Sequence, residues 1–194
     1  MMVPMARWEP NARERLVRAA LELFAEQSYD AATVNGIAER AGLTKTTFFR
    51  HFTDKREVLF GAQEIHNRLV ADAIAAAPAD ATPLQTVGAA LDVLTATFTD
   101  DRRTLAAQLH TIIAATSELR ERSTSKRTGM AEAITDALGK RGVRELTASL
   151  AAELGVRAYY RAFNEWADPA SDRTLTDLTR QALDELRAAA IALN

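Results

Sequence analysis

Residues 33–52, TVNGIAERAGLTKTTFFRHF, predict two short helices joined by a tight turn. Thr33 is a good N-cap for a short helix, whose apolar residues recur at the three- and four-residue steps of one helical face. Gly42 follows as a residue that tolerates the positive φ of a tight turn, and Thr44 caps a second short helix that runs to about residue 52. Two short helices joined by such a turn are typical of a helix-turn-helix.

Helices are predicted on both sides of this stretch. Upstream, a helix should begin near Asn11, with Glu14 as its partner in a capping box, and end near Ser28. Downstream, Asp54 together with Glu57 predicts the start of a longer helix that reaches about residue 77. Later helices are predicted over residues 84–99, 101–116, 118–140, 145–167 and 174–193. We therefore expect an all-α protein, with an N-terminal three-helix helix-turn-helix domain at residues 1–53 and a helical domain at residues 54–194.

The composition favours helices and excludes several kinds of site. Alanine and leucine, both strong helix formers, occupy 39 and 21 of the 194 positions. The lack of cysteine excludes disulfides, cysteine zinc sites and cysteine nucleophiles. We see no glycine-rich phosphate loop and no G-x-S-x-G elbow, and His66 and His110 stand alone, so we expect no cofactor, no metal and no enzymatic activity. No leader or membrane span is visible, which makes the cytoplasm the expected location.

Positive charge is concentrated around the predicted turn. The whole chain has a net charge of −2. Residues 40–56 nevertheless contain five cationic side chains and one carboxylate, a net charge of +4. Phosphate binding depends on local rather than total positive charge. The helix-turn-helix therefore coincides with a basic segment suited to nucleic acid.

Residues 12–62 resemble the N-terminal DNA-binding domain of TetR-type transcriptional regulators. The matching features are AALELFA at 19–25, YDAATV at 29–34, IA at 37–38, AGLTK at 41–45, and Phe52 followed by DK at 54–55 and Leu59. The resemblance implies a homodimer that places two recognition helices, residues 45–52, in successive major grooves of a palindromic operator. It also implies that the C-terminal part binds a small molecule, and that this binding shifts the two helices.

The resemblance assigns DNA contacts to nine residues. They are Thr33, Thr44, Lys45, Thr46, Thr47, Phe49, Arg50, His51 and Lys55. Thr33 and Lys55 would contact phosphates, whereas Lys45 can reach a guanine edge or a phosphate. Without the motif, an ordinary solvated face would be the simpler interpretation of these cations.

Three positions depart from the family pattern. Ser28 stands where the family usually has glycine, which predicts a reshaped exit from the first helix. Gly36 lies inside the short second helix, at a cost of about 1 kcal/mol relative to alanine. Phe49 stands where the family usually has tyrosine, whose hydroxyl meets a phosphate, and we expect the neighbouring Arg50 to supply that contact instead.

Two helical faces in the C-terminal part favour a dimer contact. Small and aromatic residues recur along residues 148–166, and leucine and alanine recur along residues 175–193. The predicted contact residues are Ala152, Gly155, Leu178, Ala182, Leu186 and Ala189. The alternative is that both faces are buried in the core of the chain itself.

The middle helices carry the side chains predicted to line an effector pocket, a mixture of apolar surface and polar tips. These residues are Phe98, Gln108, His110, Ile113, Tyr159, Phe163 and Trp166. Each of them has core packing as its alternative role.

Together these features predict a ligand-responsive transcriptional regulator, and a repressor in particular, that a small-molecule effector releases from its operator. Two alternatives stay open at this point. One is an effector-independent architectural or interaction protein that uses the same domain. The other is a helical enzyme in which the helix-turn-helix pattern arose by chance.

Overall fold

The computed structural model describes residues 11–193, and the regular structure of this range is helical throughout. Its α-helices are α1 Ala12–Gln27, α2 Val34–Arg40, α3 Lys45–His51, α4 Glu57–Phe60, α5 Gln63–Ala76, α6 Pro83–Thr95, α7 Arg103–Ala115, α8 Ser117–Lys140, α9 Glu145–Trp166 and α10 Leu175–Ile191. A 3₁₀ turn, Asp100–Arg102, leads into α7. The all-α prediction is thereby confirmed.

Of the described residues, those up to Gly61 form one compact unit and those from Ala62 onward form another. The first unit contains α1–α4 around a small core in which Leu16, Ile37 and Phe48 are fully buried. It continues beyond residue 53 because α4 packs against α1 and buries Val58.

The helix expected over residues 54–77 is in fact two helices, α4 and α5, separated at Gly61. A Cβ added at Gly61 would lie 2.8 Å from the carbonyl oxygen of Glu57 and 3.0 Å from the Phe52 ring. The backbone therefore approaches its neighbours too closely at this position for a side chain. Asp54 does cap the turn before α4, where its Oδ1 accepts from the backbone N–H groups of Arg56 and Glu57 at 2.8 and 3.0 Å.

The capping box predicted at the start of α1 is wrong. Asn11 precedes the helix, but its φ of 80° is left-handed and its side chain makes no capping hydrogen bond. An N-cap side chain reaches the helix N–H groups from an extended backbone, which Asn11 does not adopt. At the other end of α1, Ser28 has φ 75° and ψ 159°, a conformation that glycine adopts far more readily than serine.

The second unit is built around α9, which packs against α6, α8 and α10. Alanines along α9 are almost fully buried, as at Ala152 and Ala158. A Cβ added at Gly155 would lie 2.3 Å from Cγ1 of Val87, so α6 and α9 meet where only glycine fits. Trp166 is fully buried at the end of α9.

In the part of the chain that the structure describes, none of the helices is both long enough and apolar enough to cross a membrane. The same residues contain no cluster of histidine, aspartate or glutamate suited to holding a metal ion.

Candidate nucleic-acid interface

Local hydrogen bonds set the geometry between α2 and α3. The hydroxyl of Thr33 caps α2 by accepting from the Gly36 N–H at 3.1 Å. After α2 the chain turns through Gly42, whose φ is +64°, and the Leu43 N–H returns to the Ala38 carbonyl at 2.8 Å. Helix α2 thus ends in a hydrogen-bonded turn with a left-handed glycine, as the sequence predicts.

The hydroxyls of Thr44 and Thr47 define the start of α3. Oγ1 of Thr44 accepts from the Thr47 N–H at 3.1 Å and lies 2.9 Å from the Thr47 hydroxyl. Both threonines are therefore used in capping, although the Thr44 side chain is also exposed. These bonds fix the first turn of α3, from which its outward side chains project.

Buried aromatic rings determine which face of α3 points outward. Phe48 and Phe52 are 0% and 3% exposed and pack against each other with ring centroids 5.6 Å apart. The opposite side of the helix, which we call the α3 outer face, is exposed to solvent. It consists of Lys45, Thr46, Phe49 and Arg50.

His51 ends α3 and is exposed, with its ring 6.3 Å from that of Phe52. Its position beside the α3 outer face allows a phosphate contact. Thr33 is likewise exposed, at the start of α2.

Two of the five cations counted in residues 40–56 are already engaged by carboxylates. Arg40 holds Glu26 through two nitrogens at 2.6 and 2.9 Å and lies 3.5 Å from Glu22. The hydrogen bonds from Arg40 lower the pKa of the Glu26 carboxyl. Arg56 pairs with Asp54 at 2.7 Å. The positive charge offered to a ligand is therefore smaller than the sequence count of +4.

Within residues 11–193, Lys45 and Arg50 form no ion pair, and both belong to the α3 outer face. The ammonium of Lys45 lies 6.0 Å from the centroid of the Phe49 ring, at the outer limit of a cation–π contact. These two side chains are consequently the cations best placed to meet phosphate.

Lys55 points toward the chain rather than away from it. Its Nζ donates to the carbonyl oxygen of Tyr29 at 2.9 Å, with the Ala32 and Asp30 oxygens at 3.3 and 3.5 Å. It also lies 4.2 Å from the centroid of the Tyr29 ring. The ammonium thus ties the start of α4 to the turn that leads into Thr33 and α2.

Two arginines of α1 support the interface and were not singled out by the sequence reasoning. Arg15 donates to the Ala41 carbonyl at the end of α2, at 2.5 Å. Arg13 lies over the Phe52 ring at 5.3 Å, and burial lowers the pKa of its guanidinium. Nothing in the spacing of these arginines separates them from solvated ones, because their partners are distant in sequence.

In the second unit, four of the seven predicted pocket residues form a cluster, in which Phe98 contacts the other three. Its ring centroid lies 5.8 Å from Trp166, 5.9 Å from Phe163 and 6.4 Å from Tyr159. His66, which looked isolated in the sequence, adds a ring 5.5 Å from Phe98. We call these five residues the aromatic cluster.

The other three predicted pocket residues all lie on α7. Gln108 and His110 are exposed to solvent, and Ile113 is half-buried. The structure shows no ring contact between His110 and the aromatic cluster among the described residues.

Tyr159 is the polar member of the aromatic cluster. The residue is 6% exposed, and its hydroxyl makes no hydrogen bond to the described residues. Burial raises the pKa of this phenol above its ordinary value.

The predicted dimer residues divide into two groups. Ala152, Gly155, Leu178 and Ala182 are buried within the chain itself, so their side chains are not available to a partner. Leu186 is half-buried and Ala189 is exposed on α10. The buried group matches the alternative of core packing, and the physical reason is the tight crossing of α9 with α6 and α10.

Other apolar side chains of α9 and of the C-terminal end are exposed. Leu146 and Leu150 on α9 are 74% and 58% exposed, and Ile191 on α10 is 66% exposed. The sequence pattern did not single these residues out, because they lie off the two apolar faces, along residues 148–166 and 175–193, that the periodicity picks out.

Comparison with known proteins identifies the first unit. Residues 16–62 match the family model of bacterial regulatory proteins of the tetR family. The HTH-type transcriptional regulator TcmR of Streptomyces glaucescens is 39% identical over 80 residues, which cover 41% of this chain and 35% of TcmR. The chain spans less than half the length of the curated relatives it matches.

Solved structures share the fold over nearly the whole chain. A TetR-family transcriptional regulator from Syntrophomonas wolfei has a TM-score of 0.62 at 14% identity, covering 93% of this chain and 95% of its own. FadR of Thermus thermophilus, a TetR-family repressor solved in complex with lauroyl-CoA, has a TM-score of 0.50 at 22% identity, with coverages of 90% and 93%. At these identities the likeness concerns the fold alone.

Proposed function

We propose that this chain, a member of the tetR family of bacterial regulatory proteins, is a repressor that binds a palindromic operator as a homodimer and is released by a small-molecule effector. The family consists of transcriptional regulators, in agreement with the expectation that the chain is not an enzyme. The main support for the proposal is the exposed α3 outer face, which the hydrogen-bonded helix-turn-helix presents to solvent. The cytoplasm, where DNA lies, is its proposed place of action.

The proposed DNA contacts divide by chemistry. Lys45 and Arg50 provide positive charge for phosphates or guanine edges, and Thr46 provides a hydroxyl and a methyl group for a base edge. Thr33 and His51 flank this face and are assigned to the phosphate backbone. Thr44 and Thr47 serve chiefly to shape the start of α3, as their mutual hydrogen bond indicates.

Gel-shift titration with the DNA upstream of the gene for this chain, at two salt concentrations, tests operator binding. Specific binding should weaken as salt rises, because the cations displace counterions from the phosphates. Lys45→Ala should lower the affinity at least several-fold, and the matched control Lys140→Ala, at the end of α8, should leave it unchanged. Equal affinity of wild type and Lys45→Ala would reject the α3 outer face as the binding surface.

For the dimer, we propose a contact through apolar side chains of α9 and α10 that are exposed or, at Leu186, half-buried. The residues assigned to it are Leu146, Leu150, Leu186, Ala189 and Ile191. Leu150→Glu and Leu186→Glu should each yield monomers in sedimentation, since a charge would be buried at the interface. Thr147→Glu, an exposed change on the same helix, is the control. Intact dimers of both leucine variants would exclude this surface.

The aromatic cluster is the proposed effector site. It combines apolar rings with one polar atom that makes no hydrogen bond to the described residues, the Tyr159 hydroxyl, a combination suited to orienting a mainly apolar ligand. The complex of the structurally similar Thermus regulator with lauroyl-CoA supports the ligand-responsive part of the proposal. Tyr159→Phe should preserve operator binding and change the concentration of effector needed for release.

A further inference from the structure

We infer that Phe49 reads the methyl group of a thymine in the operator and thereby determines sequence preference at one position of each half-site. The inference rests on the proposed function, because it requires that α3 enters the major groove. Phe49 stands where the family usually has tyrosine. The phosphate contact of a tyrosine hydroxyl therefore does not explain why phenylalanine occupies this position.

Phe49 differs from its two aromatic neighbours in where it points. Phe48 and Phe52 are buried, whereas Phe49 is 49% exposed on the α3 outer face. Packing of the first unit therefore accounts for Phe48 and Phe52 and leaves half of the Phe49 ring to solvent. An apolar ring at the centre of an otherwise polar face gains stability when a ligand covers it.

The exposed ring is held in place from behind. Phe48 and Phe49 meet edge to face, with centroids 5.4 Å apart and planes at 82°. Since Phe48 is fully buried, it gives Phe49 a fixed support. The ring thus presents its outer edge and face without losing much conformational freedom on binding.

The chemistry of a phenyl ring restricts what it can recognise in the groove. It donates and accepts no conventional hydrogen bond, so it cannot discriminate guanine, cytosine or adenine through their polar edges. The one apolar group that a base pair displays in the major groove is the C5-methyl of thymine. Lys45 and Arg50, on either side of Phe49 along the helix, supply the charge that brings the ring to the groove.

The test uses an operator selected by the full-length chain from a pool of random duplexes. Each thymine is replaced in turn by deoxyuridine, which removes only the methyl group. At one thymine per half-site the wild type should lose about fourfold in affinity, and about fifteenfold when both half-sites are changed, as expected for loss of one buried methyl-sized contact each. Phe49→Ala should bind the original operator more weakly and show no further loss at that thymine.

Phe49→Tyr is the matched control, since it keeps the ring and should keep the sensitivity to deoxyuridine at the same position. Phe49→Gln provides a second variant without the ring, and the melting temperature verifies that each variant is folded. If wild type and both ringless variants suffer equal losses at every thymine, or if the operator has no thymine facing α3, the inference is overturned. Failure of the wild type to select any duplex would instead overturn the proposed function, and the inference with it.

Discussion

Lys55 offers the sharpest test of how this domain is built, because sequence and structure assign it different roles. The resemblance makes it a phosphate contact, whereas its Nζ lies on the carbonyls of Tyr29 and Ala32 and over the Tyr29 ring. We predict that Lys55 stabilises the helix-turn-helix and does not touch DNA. The variant Lys55→Met removes the charge and its hydrogen bonds while keeping a long apolar side chain.

The magnitude follows from the contacts. The bond to Tyr29 at 2.9 Å is well formed, whereas those at 3.3 and 3.5 Å are long. One charged hydrogen bond contributes about 1.5–3 kcal/mol and a cation–π contact at a partly exposed site about 0.5–1 kcal/mol. Because Lys55 is only half-buried, we expect the lower part of that range, a loss of about 2 kcal/mol in the free energy of unfolding.

The assays are urea denaturation and the dependence of operator affinity on salt. Each phosphate neutralised by a protein cation contributes about 0.9 to the slope of log K against log salt, so loss of one contact per subunit would lower a dimer's slope by about 1.8. Lys55→Met should be less stable and keep the wild-type slope. Lys45→Met, the matched control on the α3 outer face, should keep its stability and lose about 1.8 from the slope.

If Lys55→Met unfolds at the same urea concentration as wild type and reduces the salt slope as Lys45→Met does, then Lys55 is a phosphate contact and does not stabilise the domain. That result would mean that the ammonium leaves the carbonyls and turns to a phosphate when DNA binds. Both measurements are needed, because a weakened domain and a lost phosphate contact each lower the affinity.

Three backbone predictions concern stability. Ser28→Gly should raise the free energy of unfolding by about 1 kcal/mol, since the strain of φ 75° and ψ 159° outweighs the greater chain entropy of glycine, and an unchanged or lower urea midpoint would disprove that strain. Gly155→Ala should cost about 1–3 kcal/mol, because its Cβ would lie 2.3 Å from Val87, and adding Val87→Ala should restore part of the loss in the same assay. Gly129→Ala should instead stabilise α8 by about 0.5–1 kcal/mol, because a Cβ there meets no atom within 4 Å and alanine favours a helix. If Gly129→Ala also lowers the urea midpoint, the loss in Gly155→Ala cannot be attributed to its contact with Val87.

The helix-turn-helix could be predicted from the sequence because each of its parts depends on near neighbours. Thr33 and Thr44 cap the helices that follow them, and Gly42 takes the positive φ that the turn requires. Hydrogen bonds that close within five residues leave a readable trace in residue type and spacing. Gly61, where the expected helix divides, lies close to the Phe52 ring nine positions earlier, and a contact of that kind leaves no trace in the local sequence.

Long-range partners explain the other differences. Apolar periodicity shows that α9 has a buried face, but it does not show whether that face packs against its own chain or against a second copy. Ala152 and Gly155 pack within the core of their own chain. The charge count failed for the same reason, since Arg40 meets Glu26 on α1, fourteen positions away.

This pairing changes how the basic segment should be understood. With Arg40 and Arg56 held by carboxylates and Lys55 by carbonyls, the charge directed outward comes down to Lys45 and Arg50 on either side of Phe49. Few cations mean a shallow dependence of affinity on salt, because the slope counts the phosphates neutralised. Specific affinity must then depend more on base contacts, and the exposed ring of Phe49 is the large apolar group on the α3 outer face that can provide one.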